Sequence, residues 1–309
     1  MNQTPVLTVT DLTKRYGEQM ALNHFNLSVK PGEIIGIAGP NGAGKTTLFK
    51  ILTGLTPNYE GQVRLFNATT KKELQSARKY VGAIIEDPAF YPELSARQNL
   101  AIFRWQRGVV DTNRVDELLE QLELSHTGKK PVKNFSLGMK QRLAIAQSLL
   151  HRPDLLIFDE PINGLDPKAI RELRQLFHYL AHDLGATLLI SSHILSELEE
   201  VCDRFVIMNH GQKLKEFSKA ELATMTQDFY FLRVDQVQKA ATILEEKLHT
   251  TAYEVDEKGQ LRCFDLSIPP EVINQALVTN NVMVSELTVH QRQLEDLFIQ
   301  LVETPTKKG

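Results

Sequence analysis

An α/β fold with its chemistry at the carboxyl edge of a parallel sheet is predicted by three apolar runs. Glu33-Ile34-Ile35-Gly36-Ile37-Ala38 is a short run of the kind buried on both faces of such a sheet. It passes directly into Gly39-Pro40-Asn41-Gly42-Ala43-Gly44 and a helix-compatible stretch from Lys45 to Leu55. Leu155-Leu156-Ile157-Phe158 ends in Asp159-Glu160, and Ala186-Thr187-Leu188-Leu189-Ile190 ends in Ser191-Ser192-His193. Strands whose C-terminal ends carry polar residues describe an open sheet with a site in the crevice at those ends.

The other elements follow in chain order. Val6 to Asn26 alternates apolar and polar residues (Val6, Thr8, Leu12) around a Lys14-Arg15-Tyr16-Gly17-Glu18 turn, as antiparallel strands do. Between the glycine loop and Asp159 the sequence reads mainly helical. Arg114 to Leu124 places apolar residues at 115, 118, 119 and 122, and Gly138 to Leu150 continues the pattern, so an inserted helical lobe is expected over about residues 87–150. Helices at Lys168–Leu184 and Leu195–Val201 precede a strand at Arg204–Met208. Past residue 220 come a strand at Phe229–Val234, a helix at Val237–Leu248, and strands at Ala252–Val255 and Leu261–Leu266 around Asp256-Glu257-Lys258-Gly259. A helix at Pro270–Thr279 and a strand at Val282–Leu287 complete a β-α-β-β-α-β order, the split βαβ arrangement. The expected domains are therefore 1–220 and a small α+β domain at 221–309, with no internal repeat.

Composition narrows the class. Of 309 residues, 42% are apolar and 24% charged, and Gly and Pro number 17 and 13, which excludes collagen-like, low-complexity and nucleic-acid-coating chains. No apolar run reaches the roughly 18 residues of a membrane helix, and the start lacks a secretory pattern, so no span is expected. Cys202 and Cys263 lie outside any CxxC or Cys/His cluster, which fits a reducing cytoplasm. The net charge of −3 is uneven: residues 221–309 carry 14 acidic and 8 basic side chains, leaving the body at +3. A mildly basic body suits an anionic ligand, and ordinary solvated surface charge would give the same count.

Gly39-Pro40-Asn41-Gly42-Ala43-Gly44-Lys45-Thr46 matches GxxxxGK[ST], a phosphate-binding loop. Its glycines let backbone N–H groups turn toward phosphate oxygens, Lys45 reaches the β and γ phosphates, and the Thr46 hydroxyl is placed to ligate Mg²⁺. The N-terminal end of the following helix adds positive potential. Asp159, at a strand end, suits an acidic Mg²⁺ partner. Glu160, next in line, is the expected general base toward an attacking water, and His193, at another strand end, is expected near the γ phosphate.

The ordered set Tyr16, phosphate loop, Ser136-Leu137-Gly138-Met139-Lys140-Gln141-Arg142, Asp159-Glu160, Asn163-Gly164-Leu165-Asp166 and His193 resembles the ATP-binding subunits of ABC transporters over about residues 6–220. The resemblance implies a RecA-like P-loop NTPase core with an antiparallel β subdomain and a helical lobe. It also implies a homodimer, or a heterodimer of two such ATPases, that sandwiches two ATP molecules with Mg²⁺. Tyr16 would then stack on adenine, Gly39, Pro40, Asn41, Gly42, Ala43, Gly44, Lys45, Thr46 and Thr47 would cradle the phosphates, and Ser136 and Gly138 would close over the γ phosphate held by the other subunit. Asp166 would lie at the dimer seam. An integral membrane permease would be a separate chain, the ATPase would sit on the cytoplasmic face of the membrane as a peripheral subunit, and no nucleic acid is expected as partner.

Two departures stand out. The family's Leu-Ser-Gly-Gly-Gln signature reads Phe135-Ser136-Leu137-Gly138-Met139, which keeps the Ser and the second Gly. Where most members have a Mg²⁺-contacting glutamine, this chain has Glu86. A charged oxygen would tighten the metal contact but repel the γ phosphate, or else Glu86 is a tolerated near-isostere. Ile162, where Thr is usual, concerns packing. Glu86, the loop Ile85-Glu86-Asp87-Pro88-Ala89-Phe90-Tyr91-Pro92 and the Ser-Leu-Gly-Met-Lys string resemble the bacitracin-resistance and lantibiotic-immunity exporters. Phe90, Tyr91 and Leu94 either dock a helix of the membrane subunit or pack within the lobe, and Leu294-Glu295-Asp296-Leu297-Phe298 resembles the tail of drug-exporter ATPases. The alternatives are the ATPase of another exporter or of an importer, an ATP-regulated binding module, or an ABC-type ATPase acting on the ribosome or DNA. The last group usually carries two phosphate loops or a long coiled coil, and this chain has one loop and no sustained heptads.

Overall fold

The computed structural model describes residues 4–256 and 259–290. The chain divides into two compact units, one ending at Lys219 and the next beginning at Ala220. In chain order the first unit contains β1 (Leu7–Tyr16), β2 (Gln19–Val29), β3 (Ile34–Ala38), α1 (Lys45–Leu52), β4 (Glu60–Leu65), α2 (Lys71–Ala77) and β5 (Val81–Ile84). Then come α3 (Ala96–Gln106), α4 (Arg114–Gln121), α5 (Leu137–Leu149), β6 (Leu155–Phe158), α6 (Pro167–His178), β7 (Thr187–Ser192), α7 (Leu195–Glu199), β8 (Arg204–Asn209) and β9 (Gln212–Ser218).

The main sheet has the order β5-β6-β7-β3-β8-β9. It is parallel from β5 to β8, and β9 joins antiparallel. Every residue of β3, β6 and β7 is buried, which is why these strands read as continuous apolar runs without alternation. A second sheet, β2-β1-β4, is antiparallel. Its Leu7, Val9, Phe25 and Leu27 share a core with Leu48, Phe49 and Leu52 of α1 and with Ile35 and Ile37 of β3, so α1 lies between the two sheets. The third strand of that sheet, β4, and the edge strand β5 were not among the strands expected from sequence. In β4 only Val63 and Leu65 are buried, and β5 is four residues with an internal glycine, too short a pattern to register.

Helix α1 stops at Leu52, three residues short of expectation. Arg78 donates from Nε to the Leu52 carbonyl at 3.0 Å and from Nη2 to that of Ile51 at 3.3 Å, satisfying C-terminal carbonyls that a longer helix would have used itself. Likewise α6 ends at His178 and gives way to a wider turn over Tyr179–Asp183. In the lobe, α3 begins with a reciprocal Ser95–Gln98 capping box. Asn99, fully buried, accepts from the Tyr91 N–H at 2.8 Å and donates to the carbonyls of Tyr91, Leu94 and Ser95, pinning the loop that precedes α3.

Helix α8 (Lys219–Met225) leads into the second unit: β10 (Phe229–Val234), α9 (Val237–Leu248), β11 (Tyr253–Val255), β12 (Leu261–Cys263), α10 (Pro270–Thr279) and β13 (Val284–His290). The strands form one antiparallel sheet in the order β11-β12-β10-β13, the interleaving that a split βαβ requires. Tyr230, Leu232, Leu261 and Cys263 pack on Ala240, Ile243 and Leu244 of α9 and on Ile273 and Leu277 of α10. β12 is shorter than expected and β13 extends to His290, while the Leu294–Phe298 segment lies outside the described residues. Both cysteines are buried and unpaired, and burial pushes their thiols up, Cys202 above the usual thiol range, so they act as core side chains.

Candidate functional site

Parallel order sets the carboxyl ends of β3, β6 and β7 side by side, and the site grows from them. Beyond β3 the chain turns through the glycine loop into α1. Gly44 has φ +107°, and a Cβ there would stand 2.4 Å from the Ala21 carbonyl oxygen, so a side chain is excluded both by conformation and by space. Gly39 is equally tight, with the Met208 carbonyl oxygen 2.4 Å from a hypothetical Cβ. Lys45, the first residue of α1, is 6% exposed and folds back over its own loop, donating to the Gly39 carbonyl at 2.6 Å and that of Pro40 at 3.3 Å.

A cavity of about 350 Å³ opens above the loop, lined by Tyr16, Gln19, Ala21, the loop residues Asn41 to Thr47 and Glu160. A larger hollow of about 800 Å³ lies on the β2-β1-β4 side, lined by residues such as Thr8, Gln62, Arg64 and Lys71, and none of the glycine-loop or strand-end residues reach it. Tyr16 is 48% exposed, with the Lys14 ammonium 4.7 Å from its ring centre. A partly open aromatic face at the mouth of a phosphate-binding cavity is suited to stacking on a base.

The strand-end carboxylates are held in a fixed chain of bonds. Thr46 Oγ1 donates to Asp159 Oδ2 at 2.7 Å, and Ser191 Oγ donates to Asp159 Oδ1 at 2.6 Å. The same Ser191 Oγ accepts the Glu160 N–H at 2.8 Å, so one buried hydroxyl fixes both acidic residues. Glu160 adopts a left-handed backbone, φ +49°. Its Oε1 stands 3.2 Å from Lys45 Nζ and its Oε2 2.8 Å from His193 Nδ1. Sequence reading placed Asp159, Glu160 and His193 at one sheet edge, and the structure brings all three together with Lys45 and Thr46. It missed Ser191 as the pin; the available signal was a hydroxyl at the C-terminal end of a fully buried strand.

The remaining candidates lie apart from this cluster. Glu86 turns to α1, its Oε1 accepting from Lys50 Nζ at 2.6 Å, rather than to Thr46 and Asp159. Ser136 caps α5, its hydroxyl accepting the Met139 N–H at 3.3 Å, and Asp166 caps α6, accepting from the N–H groups of Lys168 and Ala169. A Cβ on Gly138 would meet Ala169 at an ordinary 3.5 Å, so the beginnings of α5 and α6 are neighbours. None of Glu86, Ser136, Gly138 or Asp166 lines the cavity. Among the described residues no three of His, Cys, Asp and Glu cluster as metal ligands; beside the loop, Thr46 and Asp159 bring two side-chain oxygens within 2.7 Å of each other. Of the aromatic loop, Phe90 and Tyr91 both pack on Phe103 at ring distances of 6.4 and 6.2 Å, yet Tyr91 remains 45% exposed. Packing in the lobe and an open face thus coexist.

A glycine loop entering a helix, a strand-end Asp bonded to its Thr, and a Glu–His pair beside its Lys define a P-loop nucleoside triphosphatase. The relatives make this more specific. Residues 22–163 match the ABC transporter family model. The chain is 40% identical over 297 residues to the bacitracin transport ATP-binding protein BcrA of Bacillus licheniformis, covering 96% of this chain and 97% of that protein. It is 41% identical over 220 residues to the lantibiotic transport ATP-binding protein SrtF of Streptococcus pyogenes, covering 70% of this chain and 93% of that protein. An ATP-binding cassette solved as a dimer in a post-hydrolysis state with ADP and Pi aligns at TM-score 0.62 and 27% identity, covering 69% of this chain and 98% of that one. The chain belongs to the ATP-binding proteins of ABC transporters. It is an ATPase subunit, with ATP as its nucleotide.

Proposed function

We propose that this chain hydrolyses ATP to power export of membrane-active peptide antibiotics of the bacitracin or lantibiotic type. It does so through a separate membrane permease, from the cytoplasmic face of the membrane. The observation that carries this reading is the 40% identity to BcrA across 96% of the chain, which takes in the second unit as well as the ATPase unit. Among the described residues no helix is long and apolar enough to cross a membrane, consistent with a permease on another polypeptide. Two copies face one another, each cavity completed by Ser136 and Gly138 of the other copy, with Asp166 at the seam. Ser136 and Asp166 are exposed, Gly138 is half-buried, and all three lie away from their own cavity, which supports that division. Phe90, Tyr91 and Leu94 belong to the face that receives the permease, and the two-unit division at Lys219 and Ala220 corresponds to an ATPase domain and an accessory domain.

Within each site the loop N–H groups and Lys45 hold the β and γ phosphates, and Tyr16 holds the base. Thr46 and Asp159 offer hard oxygens 2.7 Å apart, a donor pair that would hold Mg²⁺. Bound there, Mg²⁺ would neutralise charge on the β and γ phosphates. Glu160 takes the proton of the attacking water as its oxygen bonds to the γ phosphorus and the bond to ADP breaks. His193, bonded to the other oxygen of that carboxylate, fixes its direction. The test is a resistance assay in cells expressing this chain with its permease. Tolerance to bacitracin or a lantibiotic should rise, and Glu160→Gln should abolish the gain; unchanged tolerance to both peptides would reject the substrate class.

A further inference from the structure

Glu86 and Glu160 occupy matching places in the sheet. β5 and β6 run parallel with Ile84 opposite Phe158, and each glutamate is the second residue past its strand. Both have left-handed backbones, φ +57° and +49°. Each is met by a lysine of α1, Glu160 by Lys45 at 3.2 Å and Glu86 by Lys50 at 2.6 Å. Lys50 is four residues after Thr46, so the two share one face of α1 and stand a single turn apart. Along that face Thr46 bonds Asp159 and Lys50 bonds Glu86, so the two carboxylates are bonded to side chains one helical turn apart.

An uncompensated glutamate there adds a negative charge to a region that must admit a triphosphate, with Asp159 and Glu160 already close by. In a partly solvated site such repulsion weakens binding by a few-fold per charge. We infer that Lys50 is the positioning residue that makes glutamate at 86 compatible with ATP: it cancels the charge and holds the carboxylate against α1, one turn from Thr46. The inference rests on the reading of this cavity as the nucleotide site. It differs from an incidental surface pair in one respect. If Lys50 serves only the fold, removing Glu86 does nothing to relieve its loss; if it serves as counter-charge, removing Glu86 makes it dispensable.

The experiment measures binding of the fluorescent analogue mant-ATP to the full chain in EDTA and again in Mg²⁺, so the readout does not depend on turnover. Lys50→Met should weaken metal-free binding about three- to ten-fold. Lys50→Arg should retain wild-type affinity, and Lys50→Met combined with Glu86→Gln should return to within about two-fold of Glu86→Gln alone. Lys50→Gln repeats the test should the Met variant fold poorly. Wild-type affinity in both neutral variants, or a double variant as weak as Lys50→Met, would overturn the inference while leaving the site intact. Absence of mant-ATP binding by the wild-type chain would instead overturn the site reading, and the inference with it.

Discussion

Lys45 Nζ stands 3.2 Å from Glu160 Oε1, so the lysine of the glycine loop and a strand-end carboxylate neutralise each other at the cavity. Under the proposed mechanism the contact would tie binding to chemistry: phosphates that draw Lys45 toward themselves would release Glu160 to act as a base, with His193 still bonded to its other oxygen.

Glu160→Gln keeps the size of the side chain and its capacity to bond His193 and Lys45, but it cannot accept the water proton. General-base catalysis contributes on the order of 10²–10⁴ in rate, so kcat should fall by that factor while mant-ATP binding stays within a few-fold of wild type. Nucleotide-bound dimer should accumulate, read by size-exclusion chromatography in ATP. Near-normal turnover in this variant would remove Glu160 from the role of base.

Ser191→Ala tests the bond chain behind the carboxylates. Ser191 is fully buried; its loss strands the Glu160 N–H and takes one donor from Asp159, leaving the Thr46–Asp159 bond in place. Partners that orient a ligating carboxylate typically change metal affinity about 10–100-fold. The Mg²⁺ concentration for half-maximal ATPase activity should rise by about tenfold or more, with mant-ATP binding in EDTA little altered. An unchanged Mg²⁺ requirement would show that Asp159 needs no such support.

How much of this was legible in the sequence depends on the range of the interactions. The run Ile34–Ala38, the glycine loop and Lys45 could be read directly, because burial on both faces and positive φ are dictated residue by residue. In the second unit, Phe229–Val234, Val237–Leu248 and Pro270–Thr279 fall where their patterns put them. The end of α1 did not, because it is set by Arg78, 26 residues beyond Leu52. The Ser191 pin and the Lys50–Glu86 pair depend on which strands are neighbours: β7 beside β6, and β5 at the edge near α1. Sheet order is a property of the whole packing, and no local pattern states it. Ser136, Gly138 and Asp166 were legible as motifs, whereas within a single chain they appear as caps and packing contacts of α5 and α6.

A final prediction concerns pH and the seam of the main sheet. Arg204 of β8 bonds both Glu33, just before β3, and Glu216 of β9, and Lys213 adds a 2.6 Å bond to Glu216. Burial pulls the Glu216 carboxyl up, but the bonds from Lys213 and Arg204 outweigh it and hold the group below its ordinary value of 4.5. A carboxyl that is more acidic folded than unfolded adds stability that is complete above the unfolded value and is lost as the pH falls through the folded one. Glu216→Gln should therefore lower the thermal midpoint of the full chain at pH 7, by an amount corresponding to about 1 kcal/mol for partly buried charge-assisted bonds. The gap between wild type and variant should close as the pH falls below 4.5 and through the lowered folded-state value, where protonation deprives the wild type of the same interaction. A gap that stays constant as the pH falls well below 4.5 would mean that Glu216 supports β8 and β9 through packing, not through its charge.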